Sequence, residues 1–203
     1  MIFRSLFFIF ILAPFIVLSV ITQSIWLLLR LPGWNTVPRW FHKVSTVFLG
    51  MRVNLLGEPV AGRPTLILSN HISWTDIIAI GSVADVTFVA KSEVAKWFFV
   101  GFMASLQRTL YVDRNRKSDA KRGSREIGKR IAERGAVLLF AEGQSDIGTH
   151  VLPFRTALVG AAHISLESHA PTGARMRNWF VIVVVALLTR VAAATPAHQV
   201  PAT

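Results

Sequence analysis

The sequence contains no cysteine, and it is poor in acidic residues: 11 Asp and Glu stand against 22 Lys and Arg in 203 residues. Without cysteine the chain has no disulfide, no thiolate metal ligand and no cysteine nucleophile. The resulting net charge of +11 indicates an anionic partner, either nucleic acid or the negative surface of a bilayer.

Charge of either sign is scarce as well. Charged residues make up 16% of the chain, whereas soluble domains usually have about 25%. With 52% hydrophobic residues and a mean hydropathy of +0.49, part of the chain is expected to contact lipid. The length suits one domain with its own core and a modest appendage.

Residues 5–29 contain no charged residue. At about 1.5 Å per residue, a helix of that length can cross about 30 Å of hydrocarbon. We therefore predict a membrane helix, either spanning or re-entrant, and Pro14 is a candidate for a kink near its middle. A cleaved signal peptide is the alternative, but the apolar run exceeds the usual 7–15 residues and no small-x-small cleavage motif precedes Arg30.

In residues 38–50, apolar side chains recur at helical spacing and basic side chains lie between them. This pattern is typical of an amphipathic interfacial helix at lipid headgroups. Basic residues also follow the first helix, whereas only Arg4 precedes it. By the positive-inside rule, this asymmetry places the remainder of the chain in the cytoplasm. The residues concerned are Arg30, Arg39, Lys43 and Arg52.

From about residue 53 onward, short apolar runs alternate with helical stretches, which predicts an α/β fold: a mixed, mostly buried β-sheet flanked by helices. The last run is rich in valine and too short to cross a bilayer, which favours a core strand over a second membrane helix. A basic helix is expected at 116–134. The predicted strands are 65–69, 86–90, 108–112, 136–140 and 179–188.

These patterns predict three parts of the chain. Residues 1–50 form a membrane-anchoring helical segment, residues 51–190 form the α/β domain, and residues 191–203 form a disordered or atypical tail without charge.

Polar residues with catalytic potential follow three of the predicted strands. In "SNHISWTD" at 69–76, one helical turn can bring the Asp76 carboxylate to the His71 ring, which is the arrangement of a general base and the group that orients it. The alternative is structural: a lone histidine, a capping aspartate, and Asn70 as a helix N-cap.

The other two places are "LYVDR" at 110–114 and "FAEG" at 140–143. Arg114 has the guanidinium fork that binds phosphate, although a solvated surface arginine is the alternative. Glu142 ends a very apolar strand, where burial requires a partner, so it serves a site or a salt bridge. Gly143 permits a positive φ or close backbone approach.

Together and in this order, "NHISWTD", "LYVDR" and "FAEG" resemble the first three sequence blocks of the glycerolipid acyltransferases, a family that includes 1-acyl-sn-glycerol-3-phosphate O-acyltransferase. The resemblance extends over roughly residues 50–165 and includes the His-x4-Asp motif. The longer stretches "FVAKSEVAKWFFVGFMASLQRTLYVDR" and "VLPFRTALVGAA" resemble the bacterial branch of this family.

The resemblance implies a membrane-bound enzyme of phospholipid biosynthesis that transfers a fatty acyl group from a thioester of coenzyme A or acyl carrier protein to the free hydroxyl of 1-acyl-sn-glycerol-3-phosphate (lysophosphatidic acid). His71 would be the general base and Asp76 its orienting partner. Arg114 would bind the acceptor's phosphate, with Asn70, Glu142 and Gly143 in the same pocket. No metal or bound cofactor is implied. The implied location is the inner (cytoplasmic) membrane, with the catalytic domain facing the cytoplasm.

Departures from the family pattern leave two alternatives open. Ala141 and Gln144 replace the proline and threonine that the third block usually contains, which also suits a branch that acylates lyso-ornithine lipid, an acceptor without phosphate. The strand predicted at 179–188 lacks the proline of the fourth block, which leaves a truncated, inactive lipid-binding protein as the alternative from another class. Nucleic-acid binding is not expected, because the basic segment 108–134 shows no zinc-ligand set, RNA-binding signature or helix-turn-helix pattern.

Overall fold

The computed structural model describes residues 8–57, 65–113, 117–133, 135–143, 152–154 and 182–185. A π-helical turn (Phe8–Leu12) leads into α1 (Ala13–Leu28). The remaining elements are α2 (Thr36–Phe48), β1 (Thr65–Ser69), α3 (Thr75–Val83), β2 (Val86–Lys91), a 3-10 helix (Ser92–Lys96), α4 (Phe98–Leu106), β3 (Leu110–Val112), α5 (Lys117–Ala132), β4 (Ala136–Phe140) and β5 (Ile182–Val185).

The strands form one sheet in the order β3-β2-β4-β1-β5, and every strand pair in the described part of the chain is parallel. The two strands β1 and β4 are buried along their whole length. Parallel sheets need cover on both faces, so their central strands are apolar at every position. The predicted α/β fold with a mostly buried sheet is confirmed.

Successive residues of β1 point into two separate cores, one on each face of the sheet. Leu66 and Leu68 pack on the side of α5, where Ile127 and Ile131 are fully buried. Ile67 packs on the opposite side with Ile80 of α3. The helix predicted at 116–134 is therefore confirmed as a helix that covers one face of the sheet.

Each predicted strand is present, with some changes in length. The strands predicted at 65–69 and 136–140 coincide with β1 and β4, whereas the run at 108–112 contributes only its last three residues. The run at 179–188 contains β5, which pairs in parallel with β1, so its described residues form a strand of the sheet and not a membrane helix. The tail 191–203 lies outside the described residues.

The N-terminal apolar segment is helical, and it packs back onto α2. Phe15 stacks on Phe41 with ring centroids 5.5 Å apart and meets Phe48 edge-on at 5.7 Å. Residues Phe10–Leu28 are long and apolar enough to cross a membrane by length and composition, and little of this stretch is buried. Pro14 lies in the first turn of α1, directly after the π-helical turn, where its missing N–H is tolerated.

The predicted amphipathic helix is α2, but two of its polar residues, His42 and Ser45, are buried. Trp40 and Val47 are exposed, whereas His42 is only 2% exposed because its ring lies against α3. The close approach depends on Gly81 of α3, since a Cβ at that position would overlap the His42 ring. His42 is therefore part of the contact between α2 and α3 and not of the outer face of α2.

Burial changes the acid–base behaviour of His42. Desolvation lowers its pKa to about 4, against a smaller raising effect of the hydrogen bond with Gln107. The His42 Nε2 and Gln107 Oε1 atoms are 3.2 Å apart, and Nδ1 has no hydrogen-bond partner among the described residues. A neutral ring with Nε2–H donating to the amide oxygen satisfies this geometry.

This shift makes the stability of the fold depend on pH. The unfolded chain takes up the His42 proton near pH 6.5 but the folded chain only near pH 4, so stability is full above 6.5 and falls as the pH decreases towards 4. The variant His42→Gln keeps a donor for Gln107 and does not titrate. We expect it to reduce the loss of unfolding free energy between pH 6.5 and pH 4 by up to about 3 kcal/mol. Denaturant unfolding in detergent at several pH values measures it. Equal losses in the wild type and the variant would contradict the prediction.

Candidate active site

The candidate site lies at the edge of the sheet where β1 and β4 both end. Ser69 and Phe140 are partners in the parallel register, and the Ala141 N–H donates to the Ser69 carbonyl at 3.0 Å, which continues the pairing beyond the strands. The loop after β1 and the loop after β4 therefore leave the sheet side by side. In open α/β sheets this edge is where ligands bind.

Asp76, in the first turn of α3, is fully buried, and one of its oxygens organises the loop after β1. Its Oδ2 accepts three hydrogen bonds: from Nδ1 of the His71 ring (2.9 Å) and from the backbone N–H groups of Ile72 (2.6 Å) and Ser73 (2.9 Å). The predicted contact between the two side chains is thus present, and the same oxygen also binds the backbone before the helix, whereas α3 has no side-chain cap.

The contact with Asp76 fixes which ring nitrogen of His71 can accept a proton. A carboxylate only accepts hydrogen bonds, so Nδ1 carries the proton of the neutral ring and Nε2 has the free lone pair. The His71 side chain is 23% exposed, so part of the ring is accessible. Its face stacks on Phe140 with centroids 4.1 Å apart and an interplanar angle of 24°.

Glu142 is 3% exposed and uses both carboxylate oxygens within the protein. Its Oε2 accepts the backbone N–H of His71 at 2.7 Å, and its Oε1 accepts the backbone N–H of Leu152 at 2.7 Å. These two charge-assisted hydrogen bonds offset the cost of burying the carboxylate. Glu142 therefore joins the His71 loop to the segment at 152–154.

Gly143, which follows Glu142, has φ +77°, so the positive φ predicted for it is confirmed. Asn70 is buried directly after β1, and its carbonyl accepts the Ser69 hydroxyl at 2.8 Å. The N-cap of α3 is Trp74, so the alternative of Asn70 as the N-cap of this helix is wrong.

Arg114 and Gln144 lie outside the described residues. The strand β3, which ends two residues before Arg114, terminates at the same edge of the sheet as β1 and β4. Two strand spacings separate β3 from β4, which is roughly 10 Å.

Two residues at this edge were missed by the sequence-based analysis. Phe140 supports the His71 ring, and the only signal was its place at the end of the apolar run before "AEG". Lys91 ends β2, the strand between β3 and β4, and its Nζ lies 3.3 Å from Glu93 Oε1. Among the described residues, no group of three or more His, Asp or Glu side chains is arranged to hold a metal ion.

Known proteins with similar sequences and folds indicate the family of this chain. The model of the Acyltransferase family matches residues 52–173. The chain is 42% identical to the lyso-ornithine lipid O-acyltransferase of Brucella abortus over 136 residues, which are 66% of this chain and 51% of the relative. It is also 42% identical to the enzyme of the same name from Rhizobium meliloti over 149 residues, or 73% of this chain and 50% of the relative.

A second group of relatives is named for a different acceptor, 1-acyl-sn-glycerol-3-phosphate. The chain is 31% identical to the 1-acyl-sn-glycerol-3-phosphate acyltransferase of Neisseria gonorrhoeae over 121 residues, covering 59% of this chain and 46% of the relative. The crystal structure of the 1-acyl-sn-glycerophosphate acyltransferase from Thermotoga maritima has a similar fold, with a TM-score of 0.54 and 21% identity over 65% of this chain and 54% of that one.

The chain spans about half the length of the curated relatives that it matches. The family model nevertheless covers more than half of the 203 residues, including both loops of the candidate site. The chain therefore belongs to the acyltransferase family.

Proposed function

We propose that this protein transfers a fatty acyl group from an acyl thioester to the free hydroxyl of a lysolipid at a membrane surface. The observation that carries this proposal is the 2.9 Å contact between His71 Nδ1 and the fully buried Asp76, which leaves Nε2 as the proton acceptor of a partly exposed ring. No nucleophilic side chain is required, because the acceptor brings its own hydroxyl.

In the proposed reaction, His71 Nε2 takes the proton of the acceptor hydroxyl as its oxygen attacks the thioester carbonyl. The new C–O bond forms, the C–S bond breaks, and the proton passes from His71 to the departing thiol of coenzyme A or acyl carrier protein. The Asp76 carboxylate stabilises the imidazolium that exists between these two proton transfers. General base catalysis contributes about 10²- to 10⁴-fold, or roughly 3–5 kcal/mol of barrier.

Lyso-ornithine lipid is the acceptor that we place first. The 42% identical relatives are named for it, and the third sequence block departs from the usual pattern at Ala141 and Gln144. The relatives named for 1-acyl-sn-glycerol-3-phosphate support that lysophospholipid as the second candidate. Arg114 suits either acceptor, because a guanidinium binds both phosphates and carboxylates. It would bind the phosphate of 1-acyl-sn-glycerol-3-phosphate or the headgroup carboxylate of lyso-ornithine lipid.

The other pocket residues have positioning roles in this proposal. Glu142 holds the His71 backbone, and its two oxygens are already occupied by N–H groups, so it shapes the acceptor pocket without contacting the acceptor. Asn70 and Gly143 border the same pocket through their places at the ends of β1 and β4. Phe140 keeps the His71 ring in its plane.

The proposed location is the inner membrane, with residues 1–50 as the anchoring segment and the acyltransferase domain at 51–190 on the cytoplasmic side. The support is the apolar helix α1, the homology to enzymes of lipid synthesis and the excess of basic residues after that helix. Either coenzyme A or acyl carrier protein serves as the donor carrier in the cytoplasm.

The direct test uses the purified protein in mixed micelles, with acyl-CoA or acyl carrier protein thioesters and each of the two lysolipids. We expect one acceptor to be acylated, and we expect His71→Ala to lower kcat by at least about 10²-fold because the general base is lost. Arg125→Ala, at an exposed position of α5, is the control. A folded wild type without transfer to either acceptor would contradict the proposed activity and favour lipid binding without turnover.

Asp76→Asn tests the orienting role separately. The amide oxygen can still accept hydrogen bonds from the His71 ring and from the two backbone N–H groups. The negative charge that stabilises the imidazolium is lost. We expect kcat to fall by about 10²- to 10⁴-fold with KM for the lysolipid little changed. Circular dichroism confirms that the variant is folded. An unchanged kcat would mean that the Asp76 charge does not serve the reaction.

Glu142→Gln distinguishes positioning from substrate binding. The glutamine side chain can accept only one of the two backbone N–H groups and presents its own N–H₂ group to the other. We expect the free energy of unfolding to fall by about 1.5–3 kcal/mol, with kcat lowered and KM for the acceptor nearly constant. A selective rise in KM at full stability would instead show that the carboxylate contacts the acceptor.

A further inference from the structure

Helix α4 and the residue before it present a dense apolar surface that the proposed chemistry does not use. Five large side chains are exposed within six residues: Trp97 (58%), Phe98 (97%), Phe99 (54%), Val100 (47%) and Phe102 (49%). We call these five residues the α4 patch. Exposed apolar surface of this density marks a site of contact with another protein or with a membrane.

The α4 patch is held outward by firm packing on the other sides of the helix. Met103, Leu106 and Gln107 face α1 and α2, where they line a small cavity together with Gln23. Gly101 lies directly on the 3-10 helix, since a Cβ there would overlap the Ala95 carbonyl, and its own carbonyl accepts the Tyr111 hydroxyl at 3.0 Å. Among the described residues, none covers the exposed side of this helix.

The patch adjoins the helix that is suited to lipid. The buried side chain of Gln23 in α1 donates to the Leu106 carbonyl of α4 at 3.0 Å, and the outer face of α1 exposes Leu18 (65%), Ile21 (51%) and Leu28 (80%). Exposed apolar side chains thus occur on two helices that contact each other. Within the described part of the chain, the helical stretch Phe10–Leu28 is the one long and apolar enough to cross a membrane.

The charges around α4 match an anionic surface. No charged residue occurs from Trp97 to Gln107, and the exposed cations Lys96 and Arg108 stand at the two ends of this stretch. Arg108 also lies 5.1 Å from the centre of the Trp34 ring, in the turn between α1 and α2. Cations and a tryptophan beside an apolar face are typical of the interface between lipid tails and headgroups.

We infer that the α4 patch inserts into the lipid leaflet that holds α1, as a second and separate membrane contact of the protein. The stretch before α4 starts from the carboxyl end of β2, which lies at the same edge of the sheet as His71. Insertion of Trp97 and Phe98 therefore brings this edge against the bilayer. A second copy of the chain is a poorer occupant, because the flanking lysine and arginine of two copies would repel each other.

The inference rests on the membrane association proposed above but not on acyl transfer, so its test needs no turnover. Because the chain has no cysteine, single cysteines at Phe98→Cys and Phe102→Cys can each carry one environment-sensitive fluorophore. The labelled protein is reconstituted in vesicles of phosphatidylcholine and phosphatidylglycerol with and without spin-labelled lipid. Ile21→Cys in α1 is the positive control, and Arg125→Cys on the exposed face of α5 is the negative control.

We expect spin-labelled lipid to quench the label at 98 and 102 to within a factor of about two of its quenching at 21, and to leave the label at 125 unaffected. Quenching at 21 without quenching at 98 or 102 would overturn the inference while leaving the membrane anchor intact. Blue-shifted emission at 98 without lipid quenching, together with a dimeric mass in detergent, would also overturn it and assign the patch to a second copy. Activity assays on the same vesicles report independently on the proposed function.

Discussion

The parallel pairing of β1 with β4 is the constraint on which the candidate site depends. Ser69 opposite Phe140 brings together two loops that are about 70 residues apart in sequence, and the Glu142 carboxylate then reaches the His71 backbone N–H. A slip of one residue along the strands would move the carboxylate by about 3.3 Å, which exceeds the tolerance of a hydrogen bond.

A continuous set of contacts joins the N-terminal helices to the residue that orients the base. Gln23 attaches α1 to the end of α4, and His42 of α2 contacts Gln107 directly after α4. The His42 ring also lies on Gly81 of α3, the helix whose first turn holds Asp76. The N-terminal helices and the candidate site are therefore parts of one packed structure, so the orientation of α1 and α2 determines that of the candidate active site.

The sequence predicted those parts of the structure that depend on local or fully buried residues. Continuous apolar runs marked β1 and β4 because parallel strands are covered on both faces, and the spacing of His71 and Asp76 placed them within one helical turn. The partners of Glu142 could not be predicted, since they are backbone N–H groups, which every residue except proline has. The burial of His42 could not be predicted either, because it depends on a glycine 39 positions away, in another helix.

The acceptor chemistry connects the two unusual surfaces of this protein. A lysolipid keeps its acyl chain in the leaflet while its hydroxyl lies near the headgroups, so a base that acts on that hydroxyl needs to stand at the boundary of the hydrocarbon. An apolar helix alone would tether the domain without fixing the height of His71 above the membrane. A second apolar contact at the sheet edge, through Trp97 and Phe98, restricts the remaining rotation of the domain about its anchor. The exposure of these aromatic side chains, which would favour aggregation in a soluble protein, is the surface expected of an enzyme with the proposed lysolipid substrate.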